Sequence, residues 1–164
     1  MNLILQTILI GIGATLFMDL YALLLKIFGI KSLDYRFLGR WIGHFTKGHF
    51  RHNHIMKSSA MPYELSVGWT AHYLIGITFA LLLVFAFGKK WLENPTVLPA
   101  LCIGIITIIA PFFLMQPAFG FGVAGSNLPD PNKARLMSFI THSVFGLGLY
   151  LSAIILKQII ERFA

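Results

Sequence analysis

The chain has 164 residues, 57% of them hydrophobic and 12% charged. Soluble domains carry about a quarter charged residues, so this composition excludes an ordinary soluble domain. The net charge of +7 points to anionic lipid headgroups and the positive-inside rule, not to nucleic acid. The length fits a single integral membrane domain over residues 1–164. The one cysteine, Cys102, allows no intrachain disulfide. It sits in an apolar run, which predicts a small buried core residue.

Four segments reach the roughly 20 apolar residues that a spanning helix needs. The first, 3–25, is interrupted only by Asp19. No lysine or arginine precedes Lys26, so this segment reads as a retained spanning helix and not as a signal peptide. The long loop 26–61 follows. Within it Leu33, Phe37, Trp41 and Phe45 recur every four residues, with Arg36, Arg40, His44 and Lys47 mostly elsewhere on the wheel. That pattern predicts an amphipathic helix lying in the headgroup plane. The second span, 65–87, ends at Gly88-Lys89-Lys90, and the third, 97–115, closes at Gln116-Pro117. Pro99 and Pro111 predict bends in it. A Gly/Pro-rich loop, 118–132, leads to the fourth span, 134–156, with Asp130-Pro131-Asn132 as its N-cap region. Trp41, Trp69 and Trp91 fall near the expected membrane boundaries. The fold expected is an all-α membrane protein, four transmembrane helices in a bundle with an interfacial amphipathic helix in the first loop.

Lysine and arginine set the expected orientation. Loops one and three hold Lys26, Lys31, Arg36, Arg40, Lys47, Arg51, Lys57, Lys133 and Arg135. The other side holds Lys89, Lys90, Lys157 and Arg162. The first and third loops should therefore be cytoplasmic.

The costly polar residues fall at similar depths. At 1.5 Å per residue, Asp19 lies about 10 Å, His72 about 15 Å and His142 about 13 Å from the face that holds loops one and three. Gln116 ends the third span on that face. Each sits on a stripe of small residues: Gly11, Thr15 and Asp19; Gly68, His72 and Gly76; Ser138, His142 and Gly146. Small residues mark close helix contacts in membranes, and ionisable groups at depth usually face a bundle interior or a wet cavity. Asp19, His72 and His142 are thus the candidate catalytic centre. Glu64, Gln116, Arg135, Arg40 and His44 are the candidate ligand-binding residues. The plain alternative is that Asp19 and a histidine pair structurally, a contact worth only about 0.6 kcal/mol.

Three local motifs carry less. Gly120-Phe121-Gly122-Val123-Ala124-Gly125 is a literal GxGxxG, but it follows a membrane helix where a dinucleotide site needs a strand. It reads as an ordinary turn, or as an anion site at the start of the fourth helix beside Arg135. His49-x-x-His52-x-His54 has a spacing that could ligate a metal, or is a solvated basic loop. Glu64 either caps the second helix or relays protons to His72. His72 and His142 could also hold a haem or a metal, so the cofactor is left open.

Combined, the motifs resemble a family of small bacterial inner-membrane proteins catalogued as a domain of unknown function. The matching stretches are Gly13-Ala14-Thr15, Met18-Asp19, Asp34-Tyr35, Gly39-Arg40-Trp41-Ile42-Gly43-His44, Gly68-Trp69-Thr70-Ala71-His72-Tyr73, Met115-Gln116-Pro117, Pro129-Asp130-Pro131 and Phe145-Gly146-Leu147-Gly148-Leu149-Tyr150. The resemblance implies a four-helix inner-membrane protein and supplies no activity. Three functions follow as expectations. The first is an Asp/His site near the basic face that acts on or moves a small anionic or lipid-like ligand, by enzyme or transporter chemistry. The second is a non-catalytic scaffold or partner subunit. The third is a haem- or metal-binding protein. The partners expected are the lipid bilayer with its anionic headgroups and a second copy or a membrane partner subunit.

Overall fold

Side-chain caps start the first, second and last helices of the chain. In this computed structural model, which describes residues 1–30 and 32–163, α1 spans Leu3–Ile27. Lys31, counted above among the basic residues, lies outside the described residues. Asn2 caps α1 by accepting the Leu5 N–H at 2.8 Å. Asp34 caps α2 (Tyr35–His44) by accepting the Arg36 N–H at 3.0 Å. The next helix, α3 (Glu64–Glu93), leaves helical geometry at Gly88, with φ 72° and ψ −179°. That is where the sequence predicts its end, although a further turn follows. Chain continuation past Pro111 has its own device. After α4 (Val97–Ile106) comes a wide turn, Pro111–Met115, in which the Gln116 N–H reaches back five residues to the Pro111 carbonyl. Such wide turns occur where the regular helical ladder is interrupted. It leads into the short α5 (Gln116–Ala118). At the start of α6 (Pro131–Phe163), Asp130 Oδ1 accepts the Lys133 N–H at 3.1 Å, and proline at the first helical position loses nothing. Among the described residues there is no strand, so the chain is all-α.

Four stretches are long and apolar enough to cross a membrane: Leu3–Ile27, Glu64–Glu93, Val97–Ala118 and Pro131–Phe163. The 25 residues of α1 reach roughly 38 Å, beyond the ~30 Å hydrocarbon core. Only 22–28% of the apolar window in each stretch is buried within the protein. Leu16, Leu20, Leu23 and Leu24 on α1 are each at least 50% exposed. Continuous apolar surface on this scale needs lipid around it.

The contacts divide the chain into two compact units. The first comprises Met1–Lys31, Tyr73–Thr107 and Ile140–Ala164. Its core includes Ile10, Leu83, Ile103, Phe145 and Leu149. Small residues set its helix crossings. A Cβ on Gly11 would come 2.6 Å from Ile77 Cα, and one on Gly104 would come 2.6 Å from Gly146 Cα. Here α1 meets α3, and α4 meets α6, backbone to backbone. Trp91 is 5% exposed in this core, its indole N–H donated to the Thr96 carbonyl at 3.1 Å. One expectation changes. Cys102 is exposed, not a core residue. The inward face of α4 carries Ala100, Ile103, Gly104 and Thr107, and at 100° per residue position 102 points away from it.

The second unit comprises Ser32–His72 and Ile108–Phe139. Leu38, Ile55, Ala118 and Phe119 form its core. Loop one is tied to loop three by two backbone bonds. The His52 N–H reaches the Ala118 carbonyl at 2.8 Å and the Ile55 N–H reaches the Phe119 carbonyl at 2.9 Å. Gly39 on α2 and Gly68 on α3 form the closest crossing. The Glu64 and Tyr35 backbone carbonyls occupy the space that a Cβ on either glycine would need. This contact turns the Leu38, Gly39 and His44 face of α2 inward. Phe37 and Trp41 of the predicted stripe pack against the core, whereas Leu33 and Phe45 stay exposed.

Candidate functional site

Among the intramembrane groups, Asp19 and His142 belong to the first unit and His72 to the second. Each meets a neighbour that the spacing arguments did not single out. Tyr73 donates its hydroxyl to Asp19 Oδ2 at 3.0 Å. Thr107 donates to the Gly104 carbonyl at 2.6 Å, and its oxygen lies 2.8 Å from His142 Nδ1. A hydroxyl has one proton to give, so both contacts are hydrogen bonds at once only with the His142 proton on Nδ1. His72 is buried and stacks on Tyr35, ring centroids 4.0 Å apart, with Trp69 edge-on at 5.8 Å.

Two of the candidate ligand-binding residues hold each other. Arg40 Nε and Nη2 donate to Glu64 at 2.8 and 2.9 Å. Arg40 Nη1 also donates to the Ile55 and Ser58 carbonyls at 3.2 and 3.1 Å. The Met61 N–H takes up Glu64 Oε2 at 3.0 Å. The two side chains are only 12% and 14% exposed. The hydrogen bond with Glu64 outweighs burial and holds the Arg40 guanidinium above its ordinary pKa. Both Glu64 oxygens are committed to this latch, which pins loop one to the start of α3.

Behind the latch runs a chain of polar side chains. His44 Nδ1 lies 3.3 Å from His52 Nε2, and His52 Nδ1 lies 3.1 Å from Ser58 Oγ. Burial, helped by the neighbouring His44 and His49, pushes the His52 pKa below its usual value, so this ring is neutral at pH 7. Among the described residues, no three His, Cys, Asp or Glu side chains are grouped to hold a metal ion. The metal reading of the loop histidines therefore gains no support.

His52 also forms part of the wall of a cleft of about 430 Å³. Loop one supplies Arg51, His52 and Asn53; loop three supplies Pro117, Gly120, Gly122, Val123 and Asn127. The loop-three wall is a tight turn with positive φ at Gly120 (84°), Gly122 (74°), Ala124 (49°) and Gly125 (69°). The Asn53 carbonyl sits where a Cβ on Gly120 would lie, so only glycine lets the two loops approach this closely. Among the described residues, the side chains of Arg51 and Asn53 have no hydrogen-bond or ion-pair partner, and the N–H groups of Gly122 and Val123 have no acceptor. No carboxylate lines the cleft.

The remaining candidates stand around this cleft without lining it. Arg135 braces the turn from outside, its Nε donating to the Ala124 carbonyl at 3.0 Å and its Nη1 to Asn132 Oδ1 at 3.2 Å. Gln116 is 8% exposed and, among the described residues, its Oε1 has no hydrogen-bond partner. His44 backs His52. The cleft residues Arg51, Asn53 and Asn127 were not singled out from sequence as a binding site. The signal available was the dense donor run Arg51-His52-Asn53 next to the glycine turn.

Four apolar helices whose outer faces are exposed make this a multi-pass membrane protein. More particularly, the chain belongs to the family described as protein of unknown function (DUF2938), whose pattern matches residues 8–156. No curated protein and no solved structure shows a significant match to it.

Proposed function

We propose that this is a bacterial inner-membrane protein that binds a small anionic or lipid-like ligand at its basic face, and acts on it or moves it. The observation that carries the reading is the cleft lining. Arg51 and Asn53 line it with side chains that have no partner among the described residues, the Gly122 and Val123 N–H groups have no acceptor among them, and no carboxylate lines it. A cationic fork and amide donors with no carboxylate among them favour an anion. The concentration of lysine and arginine in loops one and three supports a cytoplasmic location for this face. Asp19, His72 and His142 remain the groups proposed for chemistry or transfer, held by Tyr73, Tyr35 and Thr107.

The scaffold reading draws less support. Stripes such as Gly11 with Gly76 and Gly104 with Gly146 are occupied by the protein's own helices. The test is a titration of the full chain in neutral detergent. Short-chain phosphatidylglycerol should bind saturably and short-chain phosphatidylcholine should not. Loss of a charge-assisted bond in Arg51→Ala should weaken binding by roughly tenfold or more. Equal binding of the two lipids would sink the proposal.

A further inference from the structure

We propose that the cleft between residues 51–53 and 120–123 is a site for a phosphomonoester group, carried either by a lipid headgroup or by free phosphate. This rests on the anionic-ligand reading above and narrows it to one chemistry.

Three features favour a phosphomonoester over a carboxylate or a phosphodiester. First, the open donors come from two facing walls. Arg51 and Asn53 stand on one; the N–H groups of Gly122 and Val123 stand on the other. A carboxylate presents two coplanar oxygens, whereas a phosphomonoester presents three oxygens tetrahedrally and carries a charge near −2. Donors on opposing walls match the tetrahedral group. Second, the loop-three wall leaves the Gly122 and Val123 N–H groups without an acceptor among the described residues. Ala124 is left-handed (φ 49°, ψ 39°), whereas Gly122 combines φ 74° with an extended ψ of 172°. Alanine rarely adopts a left-handed φ, and strain of this kind clusters at binding sites. Third, the guanidinium of Arg51 is unpaired, unlike that of Arg40, which is saturated by Glu64 and two carbonyls. An unpaired arginine presents the planar fork that phosphate takes bidentately. The volume of about 430 Å³ lies within the range of small-molecule sites and leaves room for a headgroup beyond the phosphate.

The experiment uses the full chain in neutral detergent, titrated calorimetrically with short-chain phosphatidate, short-chain phosphatidylglycerol and inorganic phosphate. Phosphatidate should bind at least about fivefold tighter than phosphatidylglycerol, the effect of one further charge about 4 Å from a cation in water. Arg51→Ala should lower phosphatidate affinity roughly tenfold. Val123→Pro should lower it severalfold, because it deletes one wall donor at the first position of a short helical turn, where proline is tolerated. Lys57→Ala removes an exposed cation of the same loop outside the lining and should change nothing. If inorganic phosphate competes with phosphatidate at similar concentration, the natural ligand is a soluble phosphate compound. If only phosphatidate binds, the ligand is a lipid headgroup. Equal affinities for phosphatidate and phosphatidylglycerol, both lost in Arg51→Ala, would overturn the phosphomonoester assignment and leave the anion reading intact. Equal losses in Lys57→Ala and Arg51→Ala would mean diffuse surface attraction and overturn the site. Binding of no anionic probe would overturn both readings. Should the proline variant fail to fold, Arg51→Ala on an exposed side chain decides alone.

Discussion

Cutting the latch between Arg40 and Glu64 should destabilise the protein far more than a surface ion pair would. The pair is bidentate at 2.8 and 2.9 Å, and both side chains are more than four-fifths buried. Arg40→Ala strands the Glu64 carboxylate and frees the Ile55 and Ser58 carbonyls; Glu64→Ala strands a guanidinium and the Met61 N–H. Removing one partner of a buried pair costs about 3–5 kcal/mol. At roughly 2–4 °C per kcal/mol for a chain of this size, each single variant should melt about 6–20 °C lower. The double variant strands no charge, so its loss should fall short of the sum of the two singles by about 0.5–3 kcal/mol. Thermal unfolding in detergent, followed by the fluorescence of the three tryptophans, measures all four proteins. Single shifts below about 2 °C, or strictly additive ones, would refute the reasoning, since exposed pairs contribute only about 0–1 kcal/mol.

Other outcomes follow from single contacts. Gly39→Ala and Gly68→Ala each drive a methyl into a backbone carbonyl and should cost about 1–3 kcal/mol. Gly43→Ala meets only the flexible Met61 side chain at 3.1 Å and should be nearly neutral in the same melting assay. Thr107→Val leaves the half-buried His142 ring without its hydroxyl partner and should cost about 1 kcal/mol, with Thr107→Ser milder. Stability should also depend on pH through His52. Burial lowers its folded pKa below the ordinary 6.5, so the unfolded chain binds more protons. Stability is therefore fully present above pH 7 and declines as the pH falls through 6.5 toward the folded pKa. His52→Asn should flatten that decline, and an unchanged slope would contradict it.

The spans were legible because lipid demands about 20 apolar residues in a row, and Gly88 and Asp130-Pro131 punctuate them as glycine and proline must. Faces were less legible. An apolar run such as the one around Cys102 lacks polar residues to mark a side, so its outward position followed only from which neighbours pack. On α2 the predicted stripe was real in composition, yet the close approach of Gly39 and Gly68 set the buried face. Asp19 was found by its isolation. Its partner Tyr73 stood one position beyond the histidine that drew attention, and one residue turns a helix by 100°. The cleft was least legible. Its walls come from two loops distant in sequence, joined by backbone bonds from His52 and Ile55, and no periodicity encodes such a pairing.

The central claim is that Arg51 and the glycine turn form a specific anion site. The most direct measurement is the ratio of anionic-lipid dissociation constants for Arg51→Ala and the unaltered chain, in neutral detergent at fixed salt. A saturable interaction weakened roughly tenfold or more is expected. A ratio near one, or the same ratio for Lys57→Ala, would contradict it.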